Sequence, residues 1–319
     1  MTTAAPADYG TAELVAGATR VVIAPSLGGK IVSMVLRGRE WLWREPKPPR
    51  GLAPDVHSGG LDEFFPTGAA CNLPAIAGRY SALHLPNAYS GLALPEHGEL
   101  WSQPVAFSLE TRDEGVYAVC GWVSDRMPYR FVRALYASAE GKVVMRYGVT
   151  NDGLDRMPCV WSTHPAFPLT KRTRIELPDG ARLRVARQQE IELGGAGAEA
   201  RWPRVASAGK LRDLSHPWPL ARRFGFRLFV DAPQGRAAIV EEDARLEITW
   251  DTSFATGAAL TVDRKAPPPG AKRKRRLTLS LGPAAGAPDS LADAIGPWKS
   301  AMWIEPGETR EWTVCYEGK

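Results

Sequence analysis

Short runs in which apolar and polar residues alternate recur along this whole chain. In the clearest of them, residues 142–150, Val143, Met145, Tyr147 and Val149 share one face. An alternation with a period of two residues predicts a β-strand with one buried face. Further strands are predicted at residues 20–24, 30–36, 41–43, 105–109, 116–123, 130–137, 174–177, 182–186, 227–230, 237–241, 246–250, 258–262, 277–281 and 310–316. The 31 glycines and 27 prolines interrupt any long helix, so the chain is predicted to consist of many strands joined by turns.

One predicted hairpin carries a histidine. The run 142–150 ends at a turn that begins with Asn151, and a second run follows at residues 159–164. Turn residues of this kind tolerate the positive φ that a reversal needs. On the return strand His164 shares a face with Ser162, and we expect its imidazole to point away from the apolar framework.

The length and the order of the runs indicate one large all-β domain. The chain has 319 residues and is 44% hydrophobic, which is enough for a sizeable core. Only one short helix is predicted, capped by Asp289 or Ser290. Strands do not alternate with amphipathic helices, which argues against a parallel α/β fold. No linker divides the chain, so we predict a single domain, residues 1–319, with the fold of a large antiparallel β-sandwich.

The positive charge is concentrated in one segment. The net charge is +5, and residues 264–276, RKAPPPGAKRKRR, supply most of it. Three consecutive prolines exclude a strand or helix interior there, so a solvated loop is favoured over a phosphate or nucleic-acid contact. No aromatic residues stand between the charges, as a single-strand binder would need. No nucleic-acid partner is expected.

The cysteines and the N-terminal residues favour a cytoplasmic protein. The four cysteines, at positions 71, 120, 159 and 315, show neither a CxxC pair nor zinc-ligand spacing. They are expected to be reduced and mostly buried. The first 17 residues lack a basic segment followed by an apolar core, and no apolar run reaches membrane-spanning length. We therefore expect neither export nor a membrane partner.

Two further segments place polar side chains beside aromatic ones. Asp62 and Glu63 precede two phenylalanines and are expected at a loop end, where they face a cleft or bind backbone amides. His97 stands between Pro95 and Gly98, which predicts a turn at the edge of a sheet. Loop residues on a rigid scaffold often carry chemistry, so His97 is a candidate functional residue.

These segments, in this order, resemble a known superfamily. They are VVIAPSLGGKIVSMVLRGREWLW, SGGLDEFFPT, LPEHGELWSQP, YGVTNDGLDRMPCVWSTHPAF, PDSLADA and WIEPGETREW. Together they resemble the aldose 1-epimerase, or galactose mutarotase-like, superfamily, and in particular its branch with GGxDE and HGxxW. The resemblance covers nearly the whole chain. It implies a β-supersandwich with a sugar-binding cleft.

The resemblance also implies catalytic roles. The family's two histidines correspond to His97, which helps to bind or polarise the sugar, and His164, which acts as general acid on the ring oxygen. The family's glutamate base corresponds to Gly282, so the expected base is missing. A positioned base contributes about 10²–10⁴-fold in rate, and its loss would cripple the reaction unless another carboxylate replaced it. The candidates for this replacement are Glu63, Asp62, Glu305 and Asp251.

The remaining site residues are candidates for substrate binding. Trp101 and Trp161 could stack on the apolar face of a sugar or pack in the core. Asp62, Glu63 and Asp251 could bind hydroxyl groups, and Arg79 could bind a phosphate or carboxylate through two hydrogen bonds. The histidines and carboxylates share no tight ligand spacing, so no metal is expected. The resemblance implies no cofactor.

The leading hypothesis is an aldose 1-epimerase-like enzyme that interconverts anomers of a small-molecule carbohydrate by acid/base ring opening. A second is a non-catalytic carbohydrate-binding or regulatory protein that kept the cleft without the glutamate. A third is a repurposed enzyme that modifies a sugar with the same histidine pair. A monomer or a homodimer is expected in each case.

Overall fold

The predicted strands form in nearly every place. The computed structural model of the chain describes residues 10–44, 59–75, 85–101, 103–207, 209–265 and 277–319. The first strands along the chain are β1 (Ala12–Ala16), β2 (Thr19–Ala24), β3 (Lys30–Leu36), β4 (Arg39–Glu40), β5 (Leu61–Phe64), β6 (Cys71–Asn72), β7 (Ala93–Leu94), β8 (Ala106–Arg112), β9 (Gly115–Val123), β10 (Tyr129–Ser138), β11 (Lys142–Asn151), β12 (Met157–Cys159) and β13 (Trp161–Pro165).

The second half of the chain continues in the same way. Its elements are β14 (Phe167–Pro168), β15 (Arg174–Glu176), β16 (Arg182–Gln189), β17 (Glu199–Arg201), β18 (Arg204–Ser207), β19 (Lys210–Asp213), β20 (Phe224–Asp231), β21 (Arg236–Val240), β22 (Arg245–Trp250), β23 (Gly257–Arg264), β24 (Leu277–Ala285), the helix α1 (Leu291–Ile295), β25 (Met302–Ile304) and β26 (Thr309–Gly318). Short 3-10 turns cover Pro25–Leu27 and Asn87–Tyr89.

Two large antiparallel sheets account for most of these strands. Within the described residues, the larger sheet has 14 strands, whose main path is β1-β2-β3-β5-β13-β24-β23-β20-β16-β17-β18-β19. The smaller sheet has eight strands in the order β15-β21-β22-β26-β11-β10-β9-β8. The fold is therefore an all-β sandwich, as the sequence predicts.

Polar contacts between the sheets identify their facing sides. Arg133 of β10 and Tyr147 of β11 both bind Glu63 of β5. Thr163 of β13 lies 3.1 Å from the hydroxyl of Tyr316 of β26. Apolar side chains from both sheets fill the space around these contacts and form one continuous core. Residues 63 and 163 therefore face the interior, and their strand neighbours face the other way.

The predicted hairpin is wrong. Strand β11 pairs with β10 on one side and β26 on the other, so both of its edges are occupied. The chain therefore crosses to the larger sheet after residue 151, where β13 pairs with β5 and β24. The turn at Asn151 forms, since Gly153 donates to its side-chain oxygen, but it begins a crossover between sheets.

Two local predictions also need correction. Residues 41–43 are not a strand, although Trp43 still hydrogen-bonds Ala166 and Gly60 through its backbone. Asp62 and Glu63 do not end a loop but lie inside β5, because both edges of this segment find partners, in β3 and β13. The short helix is confirmed, with Ser290 as its N-cap.

The described cysteines are all unpaired thiols, as predicted. In the part of the chain that the structure describes, no helix has the length and apolar character needed to cross a membrane.

Candidate active site

A cavity of about 750 Å³ opens on the face of the larger sheet that points away from the smaller one. Side chains from β5, β13, β16, β20, β23 and β24 form its floor, and the segments around residues 43, 68, 97 and 289 form its walls. Its lining includes Trp43, Asp62, Phe64, Glu96, His97, Trp101, His164, Arg187, Arg227, Thr261, Asp263, Thr278, Ser280 and Asp289. The strand alternation decides which side chains reach it.

His164 reaches the cavity because of its position in β13. Thr163 before it faces the interior and contacts Tyr316. His164 consequently faces the opposite side, where its Nδ1 lies 3.1 Å from the hydroxyl of Ser280 on the neighbouring β24. This contact orients the ring and directs Nε2 away from Ser280.

His97 reaches the same cavity from a tight turn, as the sequence predicts. Gly98 donates its backbone N–H to Pro95, and His97 itself has a φ of 64°. Gly98 has a φ of 74°, and a Cβ there would lie 2.1 Å from the carbonyl oxygen of Phe65. Only glycine permits this close approach of the turn to the end of β5. The HG dipeptide therefore positions the imidazole.

An aromatic side chain separates the two histidines. The ring of Phe64 is 4.6 Å from the ring of His97 and 4.9 Å from that of His164, measured between centroids. Trp101 meets His97 edge-on at 5.6 Å, and its indole N–H donates to the carbonyl of Glu96. Both imidazoles thus line the same cavity, on either side of Phe64.

The charged groups of the cavity are arranged in pairs. Lys30 Nζ lies 2.6 Å from Asp62 Oδ2, and both side chains are only 4% exposed. The guanidinium of Arg227 binds both oxygens of Asp289.

The pairing continues at the far side of the floor. Arg227 also donates to Thr261 at 2.7 Å. Arg187 lies 3.5 Å from Asp263. Such pairs offset the cost of burying charge and hold the cavity floor in one geometry.

Three of the predicted binding residues do not line the cavity. Glu63 and Trp161 alternate to the interior face, where they are 2% and 1% exposed. Burial raises the pKa of the Glu63 carboxyl, although Arg133 and the hydrogen bond from Tyr147 oppose this shift. Asp251 follows β22 of the smaller sheet, where its carboxylate accepts the N–H of Ser253. None of these side chains is placed to touch a ligand in the cavity.

Two other predictions fall elsewhere. Arg79 lies outside the described residues. Glu305, one of the four candidate bases, lies in an exposed turn after β25 and takes no part in the cavity.

Gly282 lies on β24 next to His164. Strand β24 pairs Ala284 with Ser162 of β13 and Leu279 with Phe167 of β14 at the same offset, which places residue 282 opposite His164. A Cβ at Gly282 would lie 2.2 Å from the hydroxyl oxygen of Thr163. The position is therefore closed to any side chain in this arrangement.

Sequence reasoning missed several residues that line the cavity. They are Trp43, Arg187, Arg227, Asp263, Ser280 and Asp289. It also missed Lys30, which pairs with Asp62. Three of them, Arg227, Asp263 and Ser280, interrupt otherwise apolar strands, as in LTVDR and LTLSL. The sequence does contain one signal for these residues. A polar residue at a strand position where an apolar one is expected indicates a side chain that faces a cavity. Among the described residues, no three His, Cys, Asp or Glu side chains group as a metal site.

Comparison with solved structures identifies the fold. A putative aldose 1-epimerase from Escherichia coli K12 is 20% identical, with a TM-score of 0.67 over 97% of this chain and 98% of that one. A Synechocystis protein, Slr1438, is 17% identical, with a TM-score of 0.69 over 100% and 99% of the two chains. A galactose mutarotase-like protein from Lactobacillus casei is 16% identical, with a TM-score of 0.63 over 97% and 100%.

No protein-family model matches this chain, and no curated protein does either. The fold and the cavity together define an all-β sandwich with a histidine-lined cleft on its larger sheet. Its architecture is that of the galactose mutarotase-like proteins, which confirms the fold that the sequence resemblance implies.

Proposed function

We propose that this protein is an aldose 1-epimerase-like enzyme that interconverts the anomers of a sugar. The observation that carries the proposal is the pair His97 and His164, which line one cavity on either side of the ring of Phe64. Two groups able to carry a proton, beside an aromatic surface in a cleft of about 750 Å³, suit acid/base work on a bound sugar.

The proposed reaction needs one acid, one base and no change of oxidation state. His164 gives a proton to the ring oxygen while a carboxylate of the cavity takes the proton of the anomeric hydroxyl. The bond between the anomeric carbon and the ring oxygen breaks, and the open aldehyde forms. Rotation about the neighbouring carbon–carbon bond and the reverse proton transfers close the ring as the other anomer. His97 binds or polarises the sugar during this cycle.

The cavity also offers groups suited to bind a small carbohydrate. The indole rings of Trp43 and Trp101 line it, and flat aromatic surfaces suit the apolar faces of sugar rings. Carboxylates and arginines suit sugar hydroxyl groups, which both donate and accept hydrogen bonds.

Exchange between anomers, followed by NMR at neutral pH over a panel of aldoses and hexose phosphates, tests the proposal. The native protein is expected to exceed the buffer rate on at least one sugar. His164→Asn should lose about 10²–10⁴-fold in kcat, because it removes the general acid. His97→Asn should also lower the rate, because it removes a group that binds or polarises the sugar. His216→Asn is the matched control, since this ring lies outside the cavity and contacts the carbonyl of Lys171.

The closed position at Gly282 favours a second candidate, a carbohydrate-binding or regulatory protein without turnover. Tryptophan fluorescence distinguishes the two, because Trp43 and Trp101 line the cavity. A sugar that changes the fluorescence without any exchange above the buffer rate would support the binding protein. A third candidate, a repurposed sugar-modifying enzyme, is distinguished by a product that is not the other anomer.

A further inference from the structure

Three side chains form a row across the cavity end of the larger sheet. Asp62 of β5 lies directly opposite His164 of β13 in the strand pairing. Ile31 lies opposite Leu61, so the next position along β3 places Lys30 beside Asp62 on its other side. Directly opposed residues on paired strands have Cβ atoms about 4.5–5.5 Å apart. The row therefore runs Lys30, Asp62, His164, and the last two line the cavity.

An anomer-exchanging site restricts where its base can stand. The ring oxygen and the anomeric hydroxyl are bonded to the same carbon. The acid that serves one and the base that serves the other must therefore reach neighbouring atoms, which favours side chains that are close together. In the sheet, the neighbour of His164 on the β24 side is Gly282, which bears no side chain. Its neighbour on the β5 side is Asp62.

The other carboxylates of the cavity are less well placed. Asp289 has both oxygens bound in the fork of Arg227. Asp263 lies opposite Thr278 of β24. It is therefore two strands away from His164, or about 10 Å across the sheet, and about four residues along, or about 13 Å. Glu96 is 60% exposed and accepts the backbone N–H of Ala70.

We infer that Asp62 is the general base of the epimerase proposed above and that Lys30 keeps its carboxylate ionised. The inference rests on that proposed function. In the forward step the anomeric O–H proton passes to Asp62, the oxygen forms the aldehyde carbonyl, and the ring carbon–oxygen bond breaks. The ring oxygen then takes the proton of His164. Ring closure returns both protons, so the protein ends each cycle unchanged.

The ion pair explains how a nearly buried carboxylate can serve as a base. Burial alone disfavours the charged form of a carboxylate, whereas an opposite charge within contact favours it. Lys30 Nζ supplies that charge at 2.6 Å. Other titratable groups face this part of the cavity from the elements around β5: His164 from β13, Glu96 and His97 from the turn before β8, and Asp289 from the loop before α1.

Asp62→Asn is the first test, with Asp152→Asn as a matched control in an exposed pair with Arg130. Asp62→Asn should lower kcat for anomer exchange by about 10²–10⁴-fold while the sugar-induced fluorescence change remains. In Asp62→Ala, added formate should restore part of the rate, which a merely structural role would not allow. The double variant Lys30→Met with Asp62→Asn removes both charges and guards against misfolding of the single variant.

Lys30→Met supplies a second readout. Without the ammonium group, Asp62 should take up a proton more readily, so the acid limb of the pH–rate profile should move to higher pH. If the native protein exchanges anomers and Asp62→Asn keeps its kcat within about threefold, the assignment of the base is overturned and the epimerase stands. If Asp263→Asn loses its kcat while Asp62→Asn keeps it, the general base is Asp263 instead of Asp62. No exchange by the native protein on any sugar overturns both proposals.

Discussion

Asp62 and Glu63 are neighbours in sequence with opposite environments. Asp62 faces the cavity and pairs with Lys30, whereas Glu63 faces the interior and pairs with Arg133. The cause is the strand itself, because successive side chains of a strand point to opposite faces. Interpreted as a loop, the segment leaves both carboxylates as equal candidates for the site. Interpreted as a strand, it allows only one of them to face the cavity.

Ser280→Ala should slow the proposed reaction without unfolding the protein. The hydroxyl lies 3.1 Å from His164 Nδ1, and the loss of one such hydrogen bond costs about 0.5–1.5 kcal/mol, or about two- to tenfold in kcat. NMR exchange assays should show this loss in kcat with little change in KM. Ser280→Thr, which keeps the hydroxyl, should retain most of the rate. A loss confined to KM would contradict an orienting role.

Gly282→Ala should destabilise the fold. The added Cβ would lie 2.2 Å from the hydroxyl oxygen and 2.7 Å from the carbonyl oxygen of Thr163, so β13 and β24 must separate locally. Overpacking of this kind costs about 1–3 kcal/mol in the free energy of unfolding. Gly148→Ala is the matched control, a strand glycine whose Cβ would meet nothing within 4 Å. Urea unfolding compares the two, and equal stabilities would contradict the steric argument.

Polar contacts hold strand β5 on both of its faces. Lys30 binds it on the cavity side, and Arg133 and Tyr147 bind Glu63 on the interior side. The Glu63 and Arg133 side chains are 2% and 1% exposed, so each charge depends on the other. Removing one partner of such a buried pair leaves an uncompensated charge.

Arg133→Met should therefore lower the free energy of unfolding by about 3–5 kcal/mol at neutral pH. Burial already raises the pKa of Glu63 above its ordinary value of 4.5, and loss of Arg133 removes a group that opposes this shift. A carboxyl group whose pKa is raised on folding contributes its full stabilisation below pH 4.5, and this contribution is lost as the pH rises. Urea unfolding between pH 4.5 and 8 should thus show a larger deficit at higher pH.

The double variant Glu63→Gln with Arg133→Met is the control for this pH dependence. It keeps the shape of the glutamate side chain and removes its titration. Its stability deficit relative to the native protein should lack the steep increase above pH 4.5 that the single variant shows. If Arg133→Met lowers the free energy of unfolding by the same amount at every pH, the electrostatic explanation is wrong. Loss of packing would then explain the lower stability.

The sequence predicts elements well and their partners poorly. Alternation is a property of neighbouring residues, so strands such as β11 and β24 are visible in it. Pairing is decided by competition among distant strands. Strand β11 pairs with β26 from the C-terminal end of the chain, and β13 pairs with β24 of the larger sheet instead of with β11. The predicted hairpin fails for that reason, while the orientation of His164 away from the core survives.

The whole cavity shows the same limit. Its floor combines side chains from strands that are distant in sequence, such as Asp62 in β5 and Arg227 in β20. The two histidines could be predicted because their segments resemble those of a known superfamily. The ion pairs of the floor could not, because each depends on a register between strands that no single segment contains.

The packing of the two sheets buries phenol groups as well as carboxylates. Tyr129, Tyr147 and Tyr316 are at most 3% exposed and come from three neighbouring strands of the smaller sheet, β10, β11 and β26. Burial raises the pKa of each above the ordinary value of 10.0 for a phenol. The folded protein therefore holds all three phenols neutral at a pH where the unfolded chain releases their protons.

Alkaline unfolding follows from these raised pKa values. A group whose pKa is raised on folding contributes stability below its unfolded value, and that stability is lost as pH rises further. Three such groups remove about 4 kcal/mol per pH unit above about pH 10, against a total of about 5–15 kcal/mol for a typical protein. We expect cooperative unfolding within about three pH units, with tyrosinate absorbance from these residues appearing only as near-ultraviolet circular dichroism is lost. Ionisation of every tyrosine before that loss would show that the interface between the sheets admits water and base without opening.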